Sequence, residues 1–149
     1  MKIRLNSFAL AGVLLAGTMG AASGAPADAT TTASANVPSF DNAQVAHGKS
    51  LYSSACAKCH GASLQGMAGP ALSGPAFAPT GHSHLTIGGI YKYMSSNMPA
   101  DRPGQMKDQE YADIMAFLLY SNGYRPKATK LTADMARTSS TPLVAGPGQ

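Results

Sequence analysis

The chain has no tryptophan and only two cysteines, and aromatic residues fill just 7% of its 149 positions. Acids are scarce as well, with seven Asp and Glu against eleven Lys and Arg. Two cysteines cannot build the multi-bridge framework of a disulfide-stapled scaffold. No stretch alternates apolar and polar residues with period two, so nothing argues for a half-buried strand. No internal repeat is present. No concentrated basic stripe appears, which argues against nucleic-acid binding. The uncharged, mostly apolar run Phe8 to Met19 is too short to span a bilayer comfortably, and no stop-transfer pattern follows it.

That run instead reads as part of a secretory signal. Lys2 and Arg4 precede it, and the small residues Gly20 to Ala25 follow it. The expected signal is 1–24, with cleavage between Gly24 and Ala27; an uncleaved membrane anchor is the competing reading. Residues 25–40 are rich in Ala, Thr, Ser and Pro and read as a flexible leader. A single compact unit is expected over 41–124, and 125–149 as a flexible tail. With Lys2 and Arg4 removed, nine basic residues face seven acids, a net charge of +2. Partner docking must then come from local patches rather than net charge.

What is there is concentrated at Cys56-Ala57-Lys58-Cys59-His60. C-x-x-C-H is the spacing by which a c-type haem is attached: each thiol bonds one vinyl group, and the adjacent imidazole becomes the proximal iron ligand. A zinc half-site would want a second ligand pair downstream. A thioredoxin-like dithiol would want a βαβ context, and a structural disulfide would consume the pair. One such motif implies one haem per chain. A small domain with a modest core also gains the apolar mass it lacks from a buried porphyrin.

Three helices frame the motif. Asp41 can cap the first, whose stripe is Val45, Gly48, Tyr52 and Ala55. Gly48 either lets another helix approach closely or merely weakens its own. Ile87, Ile90, Tyr91 and Met94 predict a second helix over about Thr86 to Ser96, weakened by Gly88-Gly89. Tyr111, Ile114, Met115 and Leu118 mark a third, flanked by Phe117, with Glu110 and Asp113 early in it and Asn122-Gly123 as its stop. Between the motif and the second helix, Gly61 to Gly81 is a long Gly/Pro-rich loop suited to wrapping a flat ring. The expected class is all-α, with three to four helices and long loops around one haem.

The sixth iron ligand must come from Met67, Met94, Met98, Met106, His82 or His84; His47 precedes the motif. Met98 is favoured, because it sits extended before Pro99, in a segment kept out of helix by Pro103 and Gly104. Met94 lies on a core stripe, Met67 follows closely behind His60, and Met106 just precedes the last helix. His82 and His84 are the rivals, and bis-His ligation would lower the potential relative to His/Met. A vacant sixth position would permit gas binding or peroxidase chemistry.

Taken together, Cys56 to Ala62, Leu64-Gln65-Gly66, Gly69 to Gly74, Met98 to Gly104, Gln109 to Asp113, Ala116 to Leu119 and Asn122-Gly123 resemble the class I cytochromes c. The likeness is greatest to small periplasmic monohaem cytochromes associated with quinoprotein alcohol dehydrogenases and terminal oxidases. The resemblance implies that the first and last helices cross, Gly48 and Tyr52 meeting Ile114 and Phe117. It also implies that the Pro70 carbonyl accepts a hydrogen bond from His60, that Leu72 packs on the ring, and that Met98 is the axial thioether. Tyr91 and Tyr93 are candidates to approach a propionate. One departure is Lys107, where Ser or Thr often begins a capping box with Glu110, leaving Asp108 to cap one residue later. The absence of Trp leaves any aromatic contact to a propionate to Tyr.

The implied function is a periplasmic single-electron carrier rather than an enzyme. Its expected partners are a redox donor, a quinoprotein dehydrogenase among the candidates, and an acceptor such as a terminal oxidase or another cytochrome. The haem edge near Cys56 and Cys59 would be the transfer surface, with Lys49, Lys58, Lys92 and Arg102 as candidate docking charges. The alternatives are a permanent cytochrome subunit of a dehydrogenase complex and an open-site haem enzyme or sensor.

Overall fold

The computed structural model describes residues 37–148; the expected signal and residues 25–36 of the leader lie outside them. Five helices run in order: α1 (Asn42–Ala55), α2 (Ala57–His60), α3 (Ile87–Asn97), α4 (Asp108–Ser121) and α5 (Ala133–Thr138). Among the described residues there is no strand, only an isolated bridge between Thr86 and Pro142. The all-α expectation holds.

Each helix starts for a local reason. The Asp41 carboxylate accepts from the Gln44 amide at 2.8 Å, capping α1. Thr86 caps α3 through Gly89 N at 3.0 Å, and Thr132 caps α5 through Met135 N at 3.2 Å. At α4 the expectation of an Asp108 cap is corrected by one residue. Lys107 occupies the N-cap and its side chain, having no acceptor, makes no cap bond. Instead the Glu110 carboxylate accepts from the Lys107 amide at 2.7 Å, which is half of a capping box and suffices to place the helix start.

The core lies where α1 crosses α4. Gly48 is the crossing point, because a Cβ there would overlap the Asp113 carbonyl. Tyr52 stacks obliquely on Phe117 with ring centroids 5.4 Å apart. Tyr111 to Leu119 are buried without interruption, since α1, α3, α5 and the loops cover α4 on all sides. A fused polar cluster borders the crossing. The Asp113 carboxylate accepts from Gln44 at 2.6 Å and Gln109 at 2.9 Å, and pairs with His47 at 2.8 Å.

The segment after Tyr124 corrects the expectation of a flexible tail. It runs as a strap across the molecule, with Leu131, Ala136 and Leu143 fully buried. Gln44 grips Leu131 through both its N–H (2.7 Å) and its carbonyl (2.9 Å). Further along, Ile87 and Gly88 donate to Thr141 and Ser139, Leu143 donates to Leu85, and Ala145 donates to Pro79. Arg137 lies over the Tyr91 ring and pairs with Asp108 at 2.9 Å. The physical reason is burial of scattered apolar residues, together with backbone bonds that composition does not reveal. The end of the leader is corrected likewise: Phe40 is buried, and its carbonyl accepts from Lys127 N at 2.7 Å.

Candidate functional site

Helix α1 delivers the C-x-x-C-H segment directly. Cys56 N still bonds Tyr52 O at 2.8 Å, and the chain then makes the short α2 turn, in which His60 N bonds Cys56 O at 3.0 Å. Gly61 ends that turn at φ 82°, a conformation that a Cβ disfavours. The Tyr52 hydroxyl donates to the Gly61 carbonyl at 2.6 Å, tying the end of the motif back to α1.

Cys56 is half-buried and Cys59 exposed, and no disulfide joins them. Burial, and then the neighbouring Cys59 charge, push the Cys56 thiol up to about 11. Among the described residues no group of three or more His, Cys, Asp or Glu side chains could hold a metal ion, as a structural zinc site would require.

His60 is buried and its Nδ1 lies 2.8 Å from the Pro70 carbonyl. A carbonyl only accepts, so Nδ1 carries the proton and Nε2 keeps its lone pair. The loop supplies this carbonyl by folding back on the motif: Gly66 N bonds His60 O and Gly69 N bonds Cys59 O, both at 2.8 Å. The ring lies against Gly69, where a Cβ would fall 2.8 Å from Cε1. Leu72 packs half-buried on the core. Its N–H bonds Leu64 O at 2.8 Å, and its carbonyl accepts from Asn122 at 3.0 Å.

Met98 closes α3 in an extended conformation (φ −121°, ψ 151°) and is partly buried against the core. The Tyr111 hydroxyl donates to its carbonyl at 2.6 Å. The helical pattern assigned Tyr111 only to an apolar face; the signal for this second role was the hydroxyl itself, which a buried tyrosine must pair. Of the other candidate ligands, Met67 is 70% exposed, Met94 is core and Met106 packs partly on it. His82 and His84 are both exposed, with rings edge-on at 5.1 Å. Tyr91 is buried with its hydroxyl on Asp108 O at 2.9 Å, whereas Tyr93 is exposed.

Lys49, Lys58, Lys92 and Arg102 are all exposed. Asp101 lies 3.8 Å from Arg102 and offsets its charge in part. No acid occurs between Asp41 and Asp101, so the segment that carries the cysteines and His60 is positive or neutral throughout.

The profile of the family described as cytochrome c oxidase, cbb3-type, subunit III matches residues 43–118. The chain belongs to that family. It is a class I monohaem cytochrome c, with one covalently bound c-type haem and a role in haem-based electron transfer. The residues present fit the group: a paired-thiol turn, a buried imidazole with one nitrogen fixed and one free, and a glycine leaving room for the ring. Among solved structures the cytochrome is similar to a chain of the sulfane dehydrogenase SoxCD from Paracoccus pantotrophus, with 30% identity and a TM-score of 0.50. The match covers 67% of this chain and 53% of that one, so the cytochrome spans about half of that relative's length. No curated protein matches it. Among the described residues no helix is long and apolar enough to cross a membrane.

Proposed function

We propose that this cytochrome c is a periplasmic single-electron carrier. In this reading Cys56 and Cys59 hold the haem through thioethers, and His60 and Met98 are its axial ligands. The export signal is 1–24, and the haem domain extends from 41 through the strap to 148. The observation that carries the reading is the His60 Nδ1 to Pro70 carbonyl bond of 2.8 Å beside the paired cysteines. That bond fixes the tautomer in which Nε2 is the ligand nitrogen and raises its basicity.

A bound haem supplies reversible one-electron exchange at iron. The chain's own residues do the rest. The two thioethers anchor the ring edge at the exposed Cys59 turn, where a partner can come close. Pro70 holds the imidazole, and the Gly69 turn covers its face. Tyr111 fixes the Met98 backbone so that the thioether can be aimed without reorganisation, as rapid electron exchange requires. The donor and acceptor are redox proteins, a quinoprotein dehydrogenase and a terminal oxidase or second cytochrome being the candidates. They meet the acid-free segment through a small, transient interface.

The similarity to SoxCD supports a second reading, in which the cytochrome is a permanent subunit of a dehydrogenase complex. Co-purification with a catalytic subunit at fixed stoichiometry separates the two.

The test is the optical spectrum of the mature protein, oxidised and reduced, beside Met98→Ala. The ferric wild type is expected to show the far-red iron–methionine charge-transfer band, and the variant to lose it. A wild type without that band overturns Met98 and turns attention to His82, His84 or an open site. Ready carbon monoxide binding by the ferrous protein would identify the open site.

A further inference from the structure

Asn122 stands just after α4 and is 1% exposed, one of the few polar side chains in the core. Every group of its amide is used. Nδ2 donates to the Leu72 carbonyl at 3.0 Å and to the Leu118 carbonyl at 2.8 Å. Oδ1 accepts from Gly74 N at 3.2 Å. Its main chain is also engaged, since the Asn122 carbonyl accepts from Gly146 N at 2.7 Å. One side chain thus joins the end of α4 to the loop that carries Pro70 and Leu72, and its backbone joins both to the strap.

The local pattern would satisfy a helix C-terminus without any of this, because Gly123 at φ 92° already turns the chain. An asparagine that merely ended α4 would have no reason to reach Leu72 and Gly74. Residues 69–74 contain two glycines and a proline; at their start Gly69 N bonds Cys59 O, and further on the Leu72 N–H bonds Leu64 within the same loop. Asn122 is the side chain that ties this segment to the end of α4. The segment is held at Gly69 by the motif and at Leu72 and Gly74 by Asn122; without the second hold, residues 70–74 can shift about Gly69, and any such shift moves the Pro70 carbonyl relative to His60.

We infer that Asn122 is a positioning residue for the haem site, acting through Leu72 and Gly74 to hold the Pro70 carbonyl against His60. The inference rests on the function proposed above for His60, but not on the identity of the sixth ligand. Loss of the anchor lets the loop loosen and water approach the imidazole, which favours the ferric state and lowers the reduction potential.

The first measurement is amide hydrogen exchange on the wild-type holoprotein. Gly74 N–H is expected to be protected at least about tenfold over a freely exchanging amide; an unprotected Gly74 overturns the inference before any variant is made. The second compares Asn122→Asp and Asn122→Ala with Tyr124→Phe by protein-film voltammetry. Asn122→Asp keeps the acceptor for Gly74 but turns an oxygen toward the Leu72 and Leu118 carbonyls. Tyr124→Phe removes a 2.8 Å bond from the same turn to Val144 of the strap and touches nothing in the loop. The Asn122 variants are expected to lower the potential and raise Gly74 exchange, whereas Tyr124→Phe does neither. A potential that is unchanged or raised in a folded Asn122 variant, or lowered equally by Tyr124→Phe, overturns the inference. The wild-type far-red band, recorded on the same sample, reports on Met98 separately.

Discussion

Replacing Gly48 by alanine adds one methyl group at the point where α1 meets α4. The new Cβ would overlap the Asp113 carbonyl and lie 3.0 Å from Ile114 N. Both obstacles are helix backbone, which cannot swing aside as a flexible side chain can, so the helices must part. Overpacking of this kind costs about 1–3 kcal/mol. Parting also loosens the Tyr52–Phe117 pair, a contact worth on the order of 1 kcal/mol beyond its area. Opposing this, alanine is favoured over glycine within a helix by about 1 kcal/mol. The net expectation is a loss of about 2 kcal/mol, or a melting temperature lower by about 8–16 °C for a domain of this size. The assay is thermal unfolding of the holoprotein by far-UV circular dichroism, beside Ser50→Ala, an exposed position on the same helix. Ser50→Ala should melt within a few degrees of wild type, on the order of the small propensity difference. A Gly48→Ala protein melting at or above wild type would refute the close-crossing argument.

Truncation after Tyr124 removes the fully buried Leu131 and Leu143. At about 1.5–3 kcal/mol each, their loss takes a large share of a small domain's stability, and guanidinium denaturation should show a much lower midpoint or no folded protein. Tyr111→Phe leaves the Met98 carbonyl without its 2.6 Å partner. It should cost about 1–3 kcal/mol and cause the far-red band to fade on heating well before the helical signal does. Burial pushes the Tyr52 phenol up to about 12. The folded state therefore keeps it neutral while the unfolded chain ionises near its ordinary value of about 10. The associated stability is complete below pH 10 and is lost as pH rises toward 12. Stability measured across that window should fall less steeply in Tyr52→Phe than in wild type.

Much of the frame was legible because its signals are local. C-x-x-C-H is a contiguous motif, and the faces of α1, α3 and α4 repeat at helical spacing with Asp41, Thr86 and Asn122-Gly123 near their ends. The short α2 escaped notice because it is the motif's own turn and has no apolar stripe. Lys107 misled because the cap comes from Glu110 reaching back to a backbone N–H, a bond indifferent to the Lys107 side chain. The strap was illegible for a different reason. Leu131, Ala136, Leu143 and Val144 are spaced irregularly among Thr, Ser, Pro and Gly, and most of the strap's bonds join backbone to backbone. Tertiary contact of that kind leaves no periodic trace. Tyr111 was read as part of a helix face and Asn122 as a helix stop, but partners of their polar groups lie 13 and 50 positions away in sequence.

The strap's last turn bears on how this protein is handled in the laboratory. Gly146 packs so tightly on the Gly123–Tyr124 peptide that no side chain fits there, and Gly148 N donates to Gly123 O at 3.1 Å. Gly146 is therefore woven into the body beside Asn122. An affinity tag or reporter inserted at that turn would have to displace it, and a long spacer is the remedy. Trimming the Pro- and Gly-rich end to improve crystals would cut away residues whose very lack of bulk is the specification they carry.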